Sequence, residues 1–261
     1  MLNVENLGYG YGARAIGSGV SFAVGAGEVL CVLGPNGGGK TTLFRTLLGL
    51  LPRLAGSVDI GGRPLEVWPR GELAQAIGYV PQQHAGHFSF TVRDIVLMGR
   101  TAHLGVFATP GAGDHAAAER AMATLGIGHL ADHVYTRISG GERQLTLIAR
   151  ALALGPRLLI MDEPTASLDF GNQLRVLRHL TRLAQQGIGI VFSTHDPDQA
   201  FLCADRALLL VPGGMLGAGS PAEAITSATL RTLYGADIDV VELRAAGAHG
   251  GAARACLPRS L

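Results

Sequence analysis

Lys40 is the only lysine in the chain; every other basic side chain is arginine or histidine. It closes the run Gly34-Pro35-Asn36-Gly37-Gly38-Gly39-Lys40-Thr41-Thr42. Exchange of surface lysine for arginine costs little. Inside a phosphate cradle a compact ammonium and a planar guanidinium are not interchangeable. The apolar run Glu28-Val29-Leu30-Cys31-Val32-Leu33 precedes the glycines and reads as a buried strand. Leu43-Phe44-Arg45-Thr46-Leu47-Leu48 follows at helical spacing. Strand, glycine loop and helix together form the context of a phosphate-binding loop. Its chemistry is the gripping of an anion. Backbone N–H groups turn inward, and the helix presents its positive end. Lys40 reaches the β- and γ-phosphates, and the Thr41 hydroxyl can ligate Mg²⁺.

A second chemical feature is the carboxylate pair Asp162-Glu163, at the end of the apolar strand Leu158-Leu159-Ile160-Met161. Packing does not explain two carboxylates there. Adjacent strand residues point to opposite sides, so the two can serve separate ends. Asp162 can hold the Mg²⁺ that Thr41 also ligates, and Glu163 can face an attacking water. His195 follows the apolar strand 187–193, at the carboxyl end where α/β sites gather. Ser139-Gly140-Gly141-Glu142 opens a helix to Leu154. Ser139 suits an N-cap with Glu142 three residues on, and the glycine pair leaves N–H groups free for an anion. Tyr9-Gly10-Tyr11-Gly12 reads as a turn, with either ring a candidate to stack on a base. Gln82 follows a short strand ended by Pro81 and reads as a polar loop residue.

The elements that must position these groups are strands with turns over 2–24, a hairpin over 56–62, helix over 73–77 and strand over 78–80. A helical, Ala- and Leu-rich stretch from His84 to Ala153 interrupts this β-rich frame. Beyond Leu208 a strand pair, a short helix near Pro221 and a last strand are expected. Residues 247–261 are Gly- and Ala-rich without period and read as a disordered tail. With 261 residues, 48% apolar and 16% charged, the chain has ample core. A net charge of +1 gives no electrostatic footprint for nucleic acid. Cys31, Cys203 and Cys256 form no CxxC pair, in keeping with a reducing compartment. The first residues carry no signal-peptide pattern, and no apolar run reaches the 18 or so residues of a span. A soluble, cytoplasmic protein is expected unless it docks onto a membrane partner. His84, His87, His129 and His133 lack the cysteines or carboxylates of a metal site, and solvated histidines are the expected reading.

The chain resembles the nucleotide-binding subunit of an ATP-binding-cassette transporter from about Val4 to Leu243, with every family motif in the family's order. Gly34 to Thr42 matches Walker A, Gln82 the glutamine loop and Ser139 to Glu142 the signature. Leu158 to Glu163 matches Walker B with its catalytic glutamate, Asp169 the D-loop and His195 the switch histidine. Spacing to these motifs selects Tyr11 over Tyr9 as the adenine-stacking ring. The fold implied is α/β, a phosphate-loop (RecA-like) core with an N-terminal β subdomain and an inserted α-helical subdomain. One domain spans 1–243, with core 1–83 and 155–243, insertion 84–154 and tail 244–261. Departures are small: Ile138 replaces leucine, Glu142 replaces glutamine, and Ala166-Ser167 replaces Ser-Ala.

The resemblance implies a Mg²⁺-dependent ATPase and a head-to-tail homodimer. ATP then lies between Lys40 of one chain and Ser139, Gly140 and Gly141 of the other. Mg²⁺ is held by Thr41, Asp162 and Gln82. It implies a permease partner, a periplasmic substrate-binding protein upstream, and a place on the cytoplasmic face of the membrane. The stretch 83–105, with Phe88, Phe90, Val92 and Leu97, is expected to dock on the permease. Residues 88–105 are similar to ATPases of importers for iron–siderophore, haem or cobalamin. Molybdate or tungstate import is the alternative. A non-transport cassette ATPase fits less well, because the chain has one cassette, no heptad run and near-zero charge. A kinase has no use for the Ser-Gly-Gly-Glu motif.

Overall fold

The computed structural model describes residues 1–82, 89–105, 108–244 and 252–259. The chain opens with β1 (Leu2–Tyr11) and β2 (Arg14–Val24), an antiparallel hairpin. The all-buried β3 (Val29–Leu33) leads through the glycine loop into α1 (Lys40–Leu47). A small β extension follows: β4 (Ala55–Ile60), which pairs with β1, and β5 (Arg63–Pro64). Then come α2 (Arg70–Ala76) and β6 (Ile77–Val80). Between β6 and its parallel partner β7 (Leu158–Met161) stand α3 (Val92–Leu97), α4 (Ala112–Thr124) and α5 (Gly140–Ala153). The rest of the core is α6 (Phe170–Gln185), β8 (Gly189–Thr194), α7 (Pro197–Cys203), β9 (Arg206–Val211) and β10 (Gly213–Gly219). The chain closes with α8 (Pro221–Ala224), α9 (Ser227–Tyr234), β11 (Ile238–Arg244) and β12 (Ala252–Pro258).

Ten strands form one sheet in the order β5-β4-β1-β2-β10-β9-β3-β8-β7-β6. From β9 to β6 every pairing is parallel, while β5-β4-β1-β2 is antiparallel. Strand residues alternate between two apolar layers, as the period of two demands. Val29, Cys31 and Leu33 join Ile190, Phe192, Leu159 and Met161 on one face, under Ile148 and Leu180. Leu30 and Val32 join Val191, Leu158 and Ile160 on the other, over Leu43, Phe44 and Leu47 of α1. Both faces are therefore covered. The phosphate loop and the carboxylate pair leave the sheet at the carboxyl ends of β3 and β7, which flank β8.

Three expectations require correction. Tyr9 does not lie in a turn. It sits inside β1, fully buried, and the turn falls at Gly12-Ala13. The ring fills the space over Gly17, where a Cβ would stand 2.4 Å from the phenol oxygen. Residues 252–258 of the expected tail form β12, which pairs with β11 from Ala252 opposite Arg244 to Pro258 opposite Ile238. Arg254 holds Glu242 at 2.6 Å and the Ala222 carbonyl at 2.7 Å. Such distant partners leave no trace in local composition. Val92, expected on a docking patch, is fully buried against the core, and Leu97 packs partly against it, while Phe90 is exposed. Phe88, His84 and His87 lie outside the described residues.

Candidate active site

Gly39 enters α1 with φ 93°, a left-handed conformation that side chains resist. A Cβ there would also stand 2.8 Å from Ile16 Cγ2. The turn places the first N–H groups of α1 at a cavity of about 320 Å³ lined by Asn36, Gly37, Gly39, Lys40, Gln82 and Glu163, among others. Lys40 Nζ donates to the carbonyls of Gly34 at 2.7 Å and Pro35 at 3.0 Å, and lies 3.2 Å from Glu163 Oε1.

Glu163 is the centre of the arrangement. Its Oε2 accepts from Gln82 Nε2 at 2.9 Å, and His195 Nδ1 stands 3.4 Å from the same oxygen. Its backbone has φ 47°, a sparsely populated conformation for a side-chain-bearing residue. The Glu163 N–H donates to Ser193 Oγ at 2.9 Å, and Ser193 Oγ–H donates to Asp162 Oδ1 at 2.6 Å. Ser193 thus locks both carboxylate residues. Asp162 turns its other oxygen to the Thr41 hydroxyl at 2.6 Å. Sequence reasoning missed Ser193, although a hydroxyl that follows the apolar run Ile190-Val191-Phe192 in a fully buried strand is a readable signal. It also missed Gln199, which accepts from Thr165 and Thr194 and donates to Asp196.

Tyr11 is exposed at the end of β1. Its hydroxyl accepts from Arg45 at 3.3 Å and lies 3.5 Å from Thr42 Oγ1, which together with Arg45 lowers its pKa, the Thr42 contact most. Ser139 caps α5 in a capping box. Glu142 Oε2 accepts from the Ser139 N–H at 2.8 Å and hydroxyl at 2.7 Å, and these bonds hold its carboxyl below the ordinary range. A Cβ on Gly141 would meet the Asn172 side chain at 2.4 Å, so the signature turn lies directly on the start of α6. Asp169 caps α6 through Asn172, whose backbone and side-chain donors lower its pKa. Neither Ser139 to Glu142 nor Asp169 lines the Lys40 cavity.

The structure therefore brings Lys40, Thr41, Asp162, Glu163, Gln82 and His195 together and leaves the signature apart. The ABC transporter family profile matches residues 18–166, more than half of the chain and the stretch holding the loop, the signature and both carboxylates. The chain belongs to the ABC transporter family. It is an ATP-binding subunit and an ATPase. Among its relatives, the molybdate import ATP-binding protein MolC of Haemophilus influenzae is 43% identical over 80% of this chain and 78% of its own length. The hemin import ATP-binding protein HmuV of Gloeobacter violaceus is 38% identical over 90% of this chain and 87% of its own. A solved inward-facing metal-chelate type ABC transporter matches with TM-score 0.87 and 36% identity, over 99% of this chain and 98% of that one. No helix among the described residues is long and apolar enough to cross a membrane.

Proposed function

We propose that two copies of this chain close head-to-tail around ATP and drive a membrane permease that imports a metal-containing cofactor or chelate. The observation that carries the dimer is the separation just described. The phosphate cavity holds Lys40 and Glu163 but not Ser139, Gly140 or Gly141, and a second copy's signature would complete it. In that site the loop N–H groups and Lys40 bind the phosphates, and Tyr11 stacks on the base. Glu163 orients and polarises the attacking water, Gln82 holds Glu163, and His195 steadies the γ-phosphate. Thr41 and Asp162, with Gln82 beside them, offer the hard oxygen donors that suit Mg²⁺. The ion when bound neutralises phosphate charge.

The permease docks on the cytoplasmic side, in the cleft of about 580 Å³ between the end of α1 and the start of the helical insertion. Leu50, Leu73, Met98, Thr101 and Ala102 line it, a recess rich in apolar side chains. Met98, Gly99, Thr101 and Ala102 of the stretch 83–105 face this cleft, whereas Val92 is buried in the core. A substrate-binding protein on the far side of the membrane supplies cargo.

Haem, cobalamin or an iron–siderophore is the cargo reading supported by the hemin-import relative and the metal-chelate neighbour. Molybdate is the second reading, carried by the 43% identity to the molybdate importer. Deletion of the gene and uptake of labelled iron chelate, haem, cobalamin and molybdate tests both. Loss of one is expected; normal uptake of all four with loss of an amino acid or sugar contradicts the proposal.

A further inference from the structure

We propose that Tyr234 is a positioning residue for His195, so that the C-terminal unit of α9, β11 and β12 sets where His195 stands over the reacting phosphate. The inference rests on the reading of His195 and Glu163 given above. Tyr234 ends α9 and donates its hydroxyl to the His195 carbonyl at 2.8 Å. Three residues on, Asp198 Oδ1 accepts from the Cys256 N–H of β12 at 2.8 Å. Two hydrogen bonds from one C-terminal unit thus land on the short segment that carries His195. The Tyr234 ring packs against the main core layer, as do Cys203, Val240 and Cys256. Burial, then the nearby Cys31, Asp196, Cys256 and Glu163, raises the phenol pKa, so the hydroxyl keeps its proton and remains a donor.

The same segment is tied from its inner side by Gln199. That buried amide accepts from Thr194 Oγ1 at 3.0 Å and Thr165 Oγ1 at 2.8 Å, and donates to Asp196 Oδ2 at 3.2 Å. Gln199 therefore fastens 194–196 to the loop that follows Glu163, while Tyr234 fastens His195 to the C-terminal unit. His195 itself is 51% exposed, and its Nδ1 stands 3.4 Å from Glu163 Oε2. The backbone beneath the ring sets where it can reach Glu163. Tyr234 grips that backbone at the histidine's own carbonyl.

The test is steady-state ATP hydrolysis by the full chain as wild type, Tyr234→Phe, His195→Ala and the double variant. Tyr234→Phe keeps the ring and its packing and removes one hydrogen bond. Its kcat is expected to fall about fivefold, the scale of one ordinary hydrogen bond, with KM for ATP unchanged. In the His195→Ala background the same change should have no further effect, because a residue acting through another is silent once that other is gone. A Tyr234→Phe kcat within about twofold of wild type overturns the proposal. So does an equal fivefold loss in the His195→Ala background. Unfolding of Tyr234→Phe at the assay temperature, read by circular dichroism, assigns the hydroxyl to stability and overturns it too. Failure of the underlying site reading looks different, since His195→Ala alone would then keep full turnover.

Discussion

Lys40 and Glu163, the one lysine of the chain and the carboxylate that follows Asp162, form an ion pair at 3.2 Å with 5% and 7% of their side chains exposed. Residues 123 positions apart in sequence thus meet in one buried spot, because β3 and β7 flank β8 in the parallel sheet. Breaking such a pair from one side leaves a buried charge without its partner. Lys40→Ala is expected to lower unfolding free energy by about 3 kcal/mol, besides weakening nucleotide binding. Adding Glu163→Gln to it should restore part of that loss. Urea unfolding of the two single variants and the double gives the coupling; strict additivity would show that the pair does not interact.

Ser193 bridges the two carboxylate residues, accepting from the Glu163 N–H and donating to Asp162. Ser193→Ala leaves a buried N–H without an acceptor and a carboxylate oxygen without a donor. Stability should drop by about 1–3 kcal/mol, and kcat should fall as the strained Glu163 backbone loses its anchor. Ser193→Thr, which keeps the hydroxyl, should retain more of both. Equal losses in the two variants would mean that bulk, not the hydroxyl, matters there.

Glu142 stands where the family commonly has glutamine, and its carboxylate holds the Ser139 hydroxyl and N–H. In the proposed dimer that places a negative charge beside the partner's ATP. Glu142→Gln keeps an acceptor for the cap and removes the charge. ATP-dependent dimerisation, measured by sedimentation in a Glu163→Gln background, should tighten by up to about fivefold, the scale of a partly exposed charge contact. Weaker dimerisation would show that the carboxylate serves the cap alone.

Thr101 and Ala102 line the cleft assigned to the permease. Cysteine at either position should cross-link to a cytoplasmic loop of the permease in the assembled transporter. Assembly that survives with no cross-link from either position would move the docking surface elsewhere.

The parts of the site that travel as local motifs were legible in the sequence. The glycine loop, the Asp162-Glu163 pair, the signature turn and His195 each announce themselves by residue type and by the strand or helix next to them. The core strands were legible too, as short apolar runs bounded by glycine and proline. Contacts made across the sheet were less so. Gln82 reads as a plain loop residue until β6 and β7 pair and bring it to Glu163. Tyr9 and Tyr11 look alike in sequence, and one is buried only because Gly17 and Gly39 leave room for its ring. Strand β12 was missed because its small residues carry weak periodicity, and α9 because its eight residues hold only a short apolar pattern, Leu230 and Leu233. Their order comes from partners such as His195, Asp198 and Glu242.

The central claim is that this chain hydrolyses ATP through Glu163. Glu163→Gln preserves the size of the side chain and can still face Lys40 and Gln82, but it cannot act as a carboxylate toward water. With Mg²⁺ present, turnover in that variant should fall by about 100-fold or more, while ATP binding, measured by equilibrium dialysis with labelled nucleotide, stays near the wild-type value. Turnover equal to wild type in Glu163→Gln would contradict the account.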